Sequence, residues 1–453
     1  LQAQLADFVP VRLDPARHAD LVERYHMERM PAVLFTMPGG RPIKLMVGIT
    51  STAKVRAEAA EALQKFRNAL DPSTWKPTRT RSPAPRTPGA RLQHPSSCPE
   101  ACDHCGPAID RALSWLLRQQ GAGGGWAKLA DEVEARTDDG RILTRSIDHV
   151  DGALTGVAGL ALLTTGSRPG SGRHGAALAR VRTYLQRAIR DDGAITAKGD
   201  DFVYHVHGIF ETALAALFLA ECQALDPDPA LGARLRLVAR ALEEAQDERT
   251  GGWGYSFGAK RNPVHDKTGW RLLATTHCAL SALNALADAG VPVDDEVRAR
   301  GVRYLVSCIA RDGQFGYRTE LRGMPGHPGA TAGALFAIDR SGPAGRAAAP
   351  DLDAARRRLR EEWTDLEGFG EHWWFFVLFT ALQAHDTGEG AWRAFHEHYR
   401  DVILAQQDDD GSFDEPDRKA GRVFATAIAV FALRLGAEPP PVCGRRSGDV
   451  PVE

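Results

Sequence analysis

From residue 107 onward, the apolar positions define two kinds of segment that alternate along the chain. Segments of the first kind are amphipathic and rich in Arg, and they span residues 108–120, 175–190, 231–246, 293–310, 351–363 and 391–407. Segments of the second kind are apolar on almost every side, and they span residues 152–163, 208–222, 270–286, 329–337, 373–384 and 423–435. A helix with one polar face borders solvent, whereas a helix that is apolar all round is covered on both sides. The alternation therefore predicts an outer and an inner ring of helices.

Glycine-rich turns with an apolar side chain join segments of the two kinds. The clearest turn spans residues 246–255, and turns of related composition lie at 123–126, 192–195, 312–317 and 410–413. Glycine permits the positive φ of a tight turn, and the aromatic ring fills the gap between neighbouring hairpins. The repeat predicts a mainly α fold class, an α6/α6 toroid of six helical hairpins over residues 107–437, followed by a flexible tail at 438–453.

Three of these turns follow a glutamine at the end of the preceding helix. Residues 119–126, 246–253 and 407–413 resemble the Gln-Trp motifs of the squalene-hopene cyclase and protein prenyltransferase superfamily. The resemblance covers about residues 107–437, and it implies a single toroid that binds an apolar, possibly isoprenoid, ligand. The same toroid also serves complement-type thioester domains and lanthionine cyclases, so the fold alone does not define the chemistry.

The residues that carry chemistry in this superfamily are matched only in part. Class II terpene cyclases use an Asp-x-Asp-Asp acid, which the chain lacks, because residues 408–411 form a turn of another type. Prenyltransferase β-subunits bind zinc through Asp-Gly-Cys at the start of one inner helix and a later His. The resemblance implies Asp151, His205 and His207 as candidate zinc ligands, with Ala153 where that family has cysteine.

Further polar residues gather where the inner helices begin, and in a toroid all these starts face one end, the mouth. Together with the three candidate ligands, Asp201 and His149 are candidate catalytic residues, since His titrates near neutrality. Other polar residues near these starts are Asp148, Asp200, Glu211, His265, Asp266, His277, His327, Glu371, His372 and Arg422. Alternatively, these side chains only cap and turn the helices.

Aromatic side chains on the inner helices are the candidates for an apolar ligand cavity. The predicted lining is Trp270, Trp373, Trp374 and Phe376, with Phe375 and Phe379 beside them. The alternative is that these rings are ordinary core residues, because aromatic side chains contribute most of their energy by burial.

The first seventy residues predict a small α/β segment. A strand at 8–14 and a helix at 17–25 come first, strands at 32–37 and 43–49 then flank a Pro-Gly-Gly turn, and a helix follows at 51–70. This order, with Pro31 directly before the first strand of the hairpin, resembles the C-terminal half of a thioredoxin-like domain. Since the matching first half would precede Leu1, we expect the true N-terminus to be missing, and a redox role and a docking role both remain open.

Residues 71–106 are predicted to be a Pro-rich linker that ends in a cysteine cluster. Cys98, Cys102 and Cys105, with His104 or His94, have a spacing that suits a small zinc or disulfide clip. Unligated thiols and a Cys102/Cys105 redox pair are the alternatives. The spacing also resembles the iron-sulfur motif of radical SAM enzymes, but helical hairpins follow it here instead of a β/α barrel.

Composition narrows the function classes. With 56 basic and 58 acidic residues, the chain has no overall charge that favours nucleic acid. No apolar run reaches the ~18 residues that span a bilayer, so we expect no transmembrane segment. The low, odd cysteine count, seven, suits a reducing compartment, and we expect a cytoplasmic protein.

The leading hypothesis is an enzyme-like toroid that binds or transforms an apolar, possibly isoprenoid, small molecule at its mouth. The rival is a non-catalytic scaffold toroid that binds a protein or peptide, with the thioredoxin-like module docking a partner. A third hypothesis is thiol chemistry, through Cys102 and Cys105 or through the missing half of the thioredoxin-like domain.

Zinc content tests the two candidate metal sites. We expect zinc at the mouth to survive a Cys98/Cys102/Cys105 triple Ala substitution and to disappear in a His205→Ala/His207→Ala variant, because imidazole ligands are then lost. Elemental analysis of the purified proteins measures this directly. Zinc lost only in the triple variant would place the metal in the clip, and no zinc in any variant would contradict both sites.

Overall fold

The computed structural model describes residues 32–36, 42–47, 105–127, 134–136, 142–144, 151–196, 208–257, 272–310, 313–316, 328–349, 352–362, 373–414, 421–436 and 440. The chain divides into two units, Leu1–Ser82 and Pro83–Glu453. In the first unit, β1 (Ala32–Thr36) pairs antiparallel with β2 (Pro42–Val47), which confirms the predicted hairpin. Pro31, the predicted strand at 8–14 and the predicted helices at 17–25 and 51–70 lie outside the described residues, so the thioredoxin-like interpretation stays a prediction.

The described part of the second unit is mainly helical. In chain order its elements are α1 (Cys105–Gln119), β3 (Glu134–Arg136), β4 (Ile142–Thr144), α2 (Asp151–Leu163), α3 (Gly175–Ala188), α4 (Gly208–Leu225), α5 (Pro229–Glu244), α6 (Leu273–Asp288), α7 (Asp295–Ser307), α8 (Pro328–Asp339), α9 (Gly342–Ala347), α10 (Asp353–Glu362), α11 (Trp373–Thr387), α12 (Glu389–Leu404) and α13 (Arg422–Arg434). The short helix α9 and the antiparallel hairpin β3–β4 were not predicted from the sequence.

The inner helices form a closed ring. Helix α2 packs on α4, α4 on α6, α6 on α8, α8 on α11 and α11 on α13, and α13 returns to α2. Each inner helix also packs on an outer one, in the pairs α13–α1, α2–α3, α4–α5, α6–α7, α8–α10 and α11–α12. These contacts confirm the predicted α/α toroid.

The two hydrophobic patterns explain the two rings. Every residue of the inner helix α2 is buried, whereas the outer helix α3 buries only the residues of one stripe, among them Leu178, Val181 and Leu185. The predicted boundaries need correction at α6, which begins at Leu273 rather than Trp270. Leu272 is extended because its N–H donates to the carbonyl of Trp253 at 3.0 Å.

Helix α4 is the one described helix that is long and apolar enough to cross a bilayer, and 78% of this stretch is buried inside the protein. An inner helix of a toroid needs the same composition, because neighbouring helices cover it on both sides. The apolar character of α4 is therefore explained by its place in the ring.

Three glutamine side chains join neighbouring repeats in the same way. The amide of Gln246 donates to the carbonyls of Gly251 and Val297, both at 2.9 Å, and its oxygen accepts from Arg300 Nε at 2.9 Å. The equivalent sets are Gln120 with Gly124, Ala177 and Arg180, and Gln407 with Gly411, Ala108 and Arg111. The sequence motif predicts Gln119 for the first of these positions, but Gln120 makes the bonds. Each glutamine therefore ties its own turn to the first turn of another outer helix.

The turn after each such glutamine is fitted closely to its neighbours. Gly251 has φ +81° and lies against the backbone of Arg300, so a side chain there would clash as well as strain the backbone. The N–H of Trp253, two residues on, donates to Thr276 Oγ1 at 3.0 Å. The same bond joins Trp126 to Thr155, Ile195 to Thr212, Phe315 to Thr331 and Phe413 to Thr426.

The last of these turns closes the ring on the first helix. Gln407 Nε2 donates to the carbonyl of Ala108 at 2.7 Å, and Trp115 Nε1 donates to Asp410 Oδ2 at 3.1 Å. Ser412 donates to the other oxygen of Asp410, as expected for a carboxylate in a turn. Residues almost 300 positions apart thereby hold the two ends of the toroid together.

We expect Gln407→Ala to lower the free energy of unfolding by about 1–2 kcal/mol, because it removes hydrogen bonds to both its own turn and α1. Gln406→Ala is the matched control, since among the bonds described the side chain of Gln406 donates only to the carbonyl of Val402, in the last turn of the preceding helix α12. We expect this control to lose less than about 0.5 kcal/mol. Urea unfolding measures both, and equal losses would contradict a closing role for Gln407.

Candidate functional site

Most of the predicted polar site residues lie outside the described part of the chain. This holds for His149, Asp201, His205 and His207 at the mouth and for Cys98, Cys102 and His104 in the clip. Asp151 is described as the first residue of α2, and Cys105 as the buried first residue of α1. The catalytic and metal-binding roles of these residues therefore stay predictions.

Asp151 lies beside a second buried carboxylate. Glu211, in the first turn of α4, accepts the N–H of Gly152 at 2.9 Å, so its carboxyl group lies at the N-terminus of α2. The exposed fractions are 7% for Asp151 and 4% for Glu211. The unpaired N–H groups and the dipole of a helix N-terminus stabilise one negative charge here, whereas a second buried charge beside it is unfavourable, so this pair of carboxyl groups favours holding one proton.

Tyr184 of α3 completes this cluster. Its ring packs against Gly125, and the side chain is half-buried. Burial, and after it the nearby carboxylates of Asp151 and Glu211, raise the pKa of Tyr184 to about 12. The phenol therefore stays protonated at neutral pH. We call Asp151, Glu211 and Tyr184 the carboxylate corner, a set of proton donors and acceptors suited to acid–base work.

The described donors do not by themselves make a metal site. No three His, Cys, Asp or Glu side chains within the described ranges lie close enough together to hold an ion. Ala153, which stands where prenyltransferases have a cysteine ligand, is buried and offers only a methyl group. Zinc at Asp151 therefore stays a prediction.

Aromatic side chains from different inner helices meet across the centre of the ring. Phe210 of α4 and Phe375 of α11 have ring centroids 5.7 Å apart, although these helices are not successive in the ring. Phe210 also lies 6.1 Å from Tyr255. All three side chains are partly exposed. We call Phe210, Tyr255 and Phe375 the aromatic floor, and it lies at the end where α4 and α11 begin.

The predicted cavity residues take different places. Trp374 is fully buried, and its Nε1 donates to the carbonyl of Asp414 at 2.9 Å, so this ring packs on the turn before α13. Phe376 is partly exposed and packs on Gly329 of α8, while Trp373 lies edge-on to Trp374 at 4.5 Å. Trp270 lies outside the described residues. Phe375 differs from these predicted residues because its side chain contacts Phe210, on the opposite side of the ring.

Below the aromatic floor lies a histidine that the sequence analysis named only among many polar residues. His277 of α6 is fully buried, with ring centroids 4.4 Å from Phe379 and 5.5 Å from Phe375. Neither ring nitrogen has a hydrogen-bond partner among the described residues. Burial lowers the pKa of His277 to about 3, so the imidazole is neutral. Its sequence signal was a single basic side chain in a helix whose other residues before Asp288 are apolar or neutral.

Comparison with known proteins identified one family. Residues 99–330 match the model of the squalene-hopene cyclase C-terminal domain. A search of curated proteins found no match.

Solved structures of several enzymes are similar to this chain. The type II terpene cyclase MstE from Scytonema, in complex with geranylgeranyl dihydroxybenzoate, is 16% identical, with 74% of this chain and 97% of that chain covered and a TM-score of 0.49. Cellobiose 2-epimerase from Bacillus thermoamylovorans is 10% identical, with coverage of 73% and 98% and a TM-score of 0.48. An alpha-mannanase from Bacteroides thetaiotaomicron is 10% identical, with coverage of 74% and 95% and a TM-score of 0.49. These values support no inference about activity or ligand.

The neutral state of His277 predicts a pH dependence of stability. An unfolded histidine binds a proton below pH 6.5, whereas folded His277 stays neutral down to about pH 3, so stability is complete above 6.5 and falls as the pH is lowered. From pH 7 to pH 5, this residue alone should lower the free energy of unfolding by about 2 kcal/mol. Urea unfolding at both pH values measures the loss.

His277→Gln removes the titrating group and should reduce the loss of stability by that amount. His398→Gln, on the outer helix α12, is the matched control and should behave like the wild type. If the free energy of unfolding fell equally from pH 7 to pH 5 in the wild type and in His277→Gln, this result would contradict a buried neutral imidazole at position 277.

Proposed function

Because the chain belongs to the squalene-hopene cyclase C-terminal domain family, we propose that it is a terpene cyclase-like enzyme that binds an apolar, isoprenoid-like ligand at the mouth of its ring. The mouth is the end where the inner helices begin.

One observation carries this proposal. Phe210 and Phe375 meet across the ring with part of each side chain exposed, so the centre of the mouth offers apolar aromatic surface. Such rings bind hydrocarbon chains by burial, and their faces also attract positive charge. An aromatic surface of this kind suits a ligand that is a flexible hydrocarbon and that becomes cationic when it reacts.

The carboxylate corner supports the reaction type. Glu211 follows Phe210 directly in α4, so the acid groups and the aromatic floor lie at the same level of the ring. A carboxylic acid there would add a proton to an alkene of the ligand, and the resulting carbocation would close a new carbon–carbon bond against the aromatic faces. Loss of a proton from a neighbouring carbon to a carboxylate then restores the acid. The reaction is an isomerisation, with one proton added and one released.

A scaffold function remains the second candidate, and one observation favours it. The bond from the N–H of Gly152 to Glu211 explains a buried carboxylate at this place as a cap for α2, without any chemistry. The two functions differ in what they predict for small apolar molecules. An enzyme of this type binds and converts them, whereas a scaffold binds neither isoprenoid nor product.

Adjacent phenylalanines on α11 give a matched test. We expect Phe375→Leu to weaken binding of a fluorescent geranylgeranyl probe by about tenfold, because an aromatic face is lost from the floor. Phe376→Leu should change affinity less than about twofold, since that ring packs on Gly329 instead. Fluorescence titration measures both variants beside the wild type.

The same wild-type protein is then incubated with linear C15 and C20 isoprenoids, and the products are separated by gas chromatography and mass spectrometry. New products of unchanged mass are the expected result, because cyclisation is an isomerisation. Absence of both probe binding and conversion would contradict the proposed enzyme and favour the scaffold.

A further inference from the structure

A stripe of polar side chains runs along the buried face of α6. His277, Ser281 and Asn284 follow one another at spacings of four and three, which places them on one side of the helix. All three are almost completely buried, with exposed fractions of 0%, 3% and 1%. The stripe faces α8, because the amide of Asn284 donates to the carbonyl of Ala337 at 2.8 Å.

The stripe contains polar atoms that the fold leaves unused. Within the described part of the chain, both nitrogens of His277, Oγ of Ser281 and Oδ1 of Asn284 have no hydrogen-bond partner. Buried polar atoms in proteins are nearly always paired, and each exception carries a free-energy penalty. Four unpaired atoms on three residues of one helix face therefore indicate a function beyond packing.

The neighbouring residues pack closely around the imidazole ring of His277. A Cβ on Gly333 of α8 would come within 2.7 Å of the imidazole, so this position accommodates the histidine only as glycine. Phe379 lies edge-on to the imidazole at 4.4 Å. The ring of Phe375 contacts both the imidazole of His277 and the ring of Phe210. The Phe375 side chain is itself partly exposed. Phe375 therefore lies between His277 and the mouth.

The chemistry around His277 selects the ligand class. A neutral imidazole offers one N–H donor and one acceptor nitrogen, and burial alone accounts for its lowered pKa. The ring contacts described for it are aromatic, and burying a charged group without a partner in such surroundings is unfavourable. An uncharged group that both donates and accepts, a hydroxyl, matches this environment, whereas a diphosphate does not.

We propose that His277 hydrogen-bonds the hydroxyl group of an otherwise apolar ligand, an isoprenoid alcohol, which passes Phe375 from the mouth, and that Ser281 contributes a second bond. This inference rests on the proposed function and states which class of isoprenoid the ring takes. In this arrangement the hydrocarbon part lies along the aromatic floor and the hydroxyl end points to α6. The carboxylate corner then faces the hydrocarbon part.

The test compares three ligands with the same C15 chain, farnesol, farnesene and farnesyl diphosphate, by titration into the wild-type protein and its variants. We expect the wild type to bind farnesol about tenfold more tightly than farnesene, and the diphosphate more weakly than farnesol. His277→Phe should remove the preference for the alcohol, and His277→Gln should restore part of it. Cys278→Ala, at the next, equally buried position of α6, is the control and should keep the full preference.

Circular dichroism checks whether His277→Phe is folded. Ser281→Ala is a second variant, so the test does not depend on His277→Phe alone. Ser281→Ala should reduce the preference for farnesol about threefold. A preference unchanged in both His277→Phe and Ser281→Ala would overturn the proposal, as would tighter binding of the diphosphate by the wild type. Equal binding of farnesol and farnesene would overturn it while the proposed function stands. If the wild type binds none of the three ligands, the proposed function fails too.

Discussion

The closed ring depends on one repeated contact, in which a glutamine side chain ties the carbonyl of its own turn to the first turn of another outer helix. In the central copy, Gln246 uses both its amide hydrogens and its oxygen, and it is 6% exposed. A buried amide with every bond made holds its neighbours in one orientation. The copy at Gln407 returns to α1, and the packing of α13 on α2 completes the ring. Together with the packing of each inner helix on the next, this closure holds the inner helices in one register.

Once the inner helices are held in this register, side chains distant in sequence become neighbours at the mouth. Phe210 meets Phe375 across the centre, and Glu211, one residue further along α4, turns instead towards the start of α2. The mouth is thereby divided into an apolar centre and an acidic rim. A largely apolar surface with a few polar groups is the common composition of small-molecule sites. The unpaired nitrogens of His277 lie beneath the apolar centre. In the proposed complex they distinguish an isoprenoid alcohol from a hydrocarbon by a hydrogen bond to its hydroxyl group.

The periodicity of apolar residues was sufficient to predict the toroid, because an inner helix must be apolar on all sides. The helix starts were also sufficient to nominate Asp151 and Glu211. The contacts across the ring were not predictable in the same way. Nothing in the local pattern separates Phe375 from Phe376, since which ring points to the centre depends on the rotation of α11 about its axis. The hydroxyls of Thr155, Thr276 and their equivalents were missed because a threonine near a helix start has many ordinary roles.

Photo-crosslinking tests most directly whether the centre of the ring at the mouth is the ligand site. A farnesol analogue with a diazirine on its hydrocarbon end would be irradiated with the intact protein, and the labelled peptides would be identified by mass spectrometry. The account predicts labels in the first turns of α4 and α11, near Phe210 and Phe375, and competition by unlabelled farnesol. Labels confined to the outer helices or to the β1–β2 hairpin, or labels insensitive to competition, would contradict it.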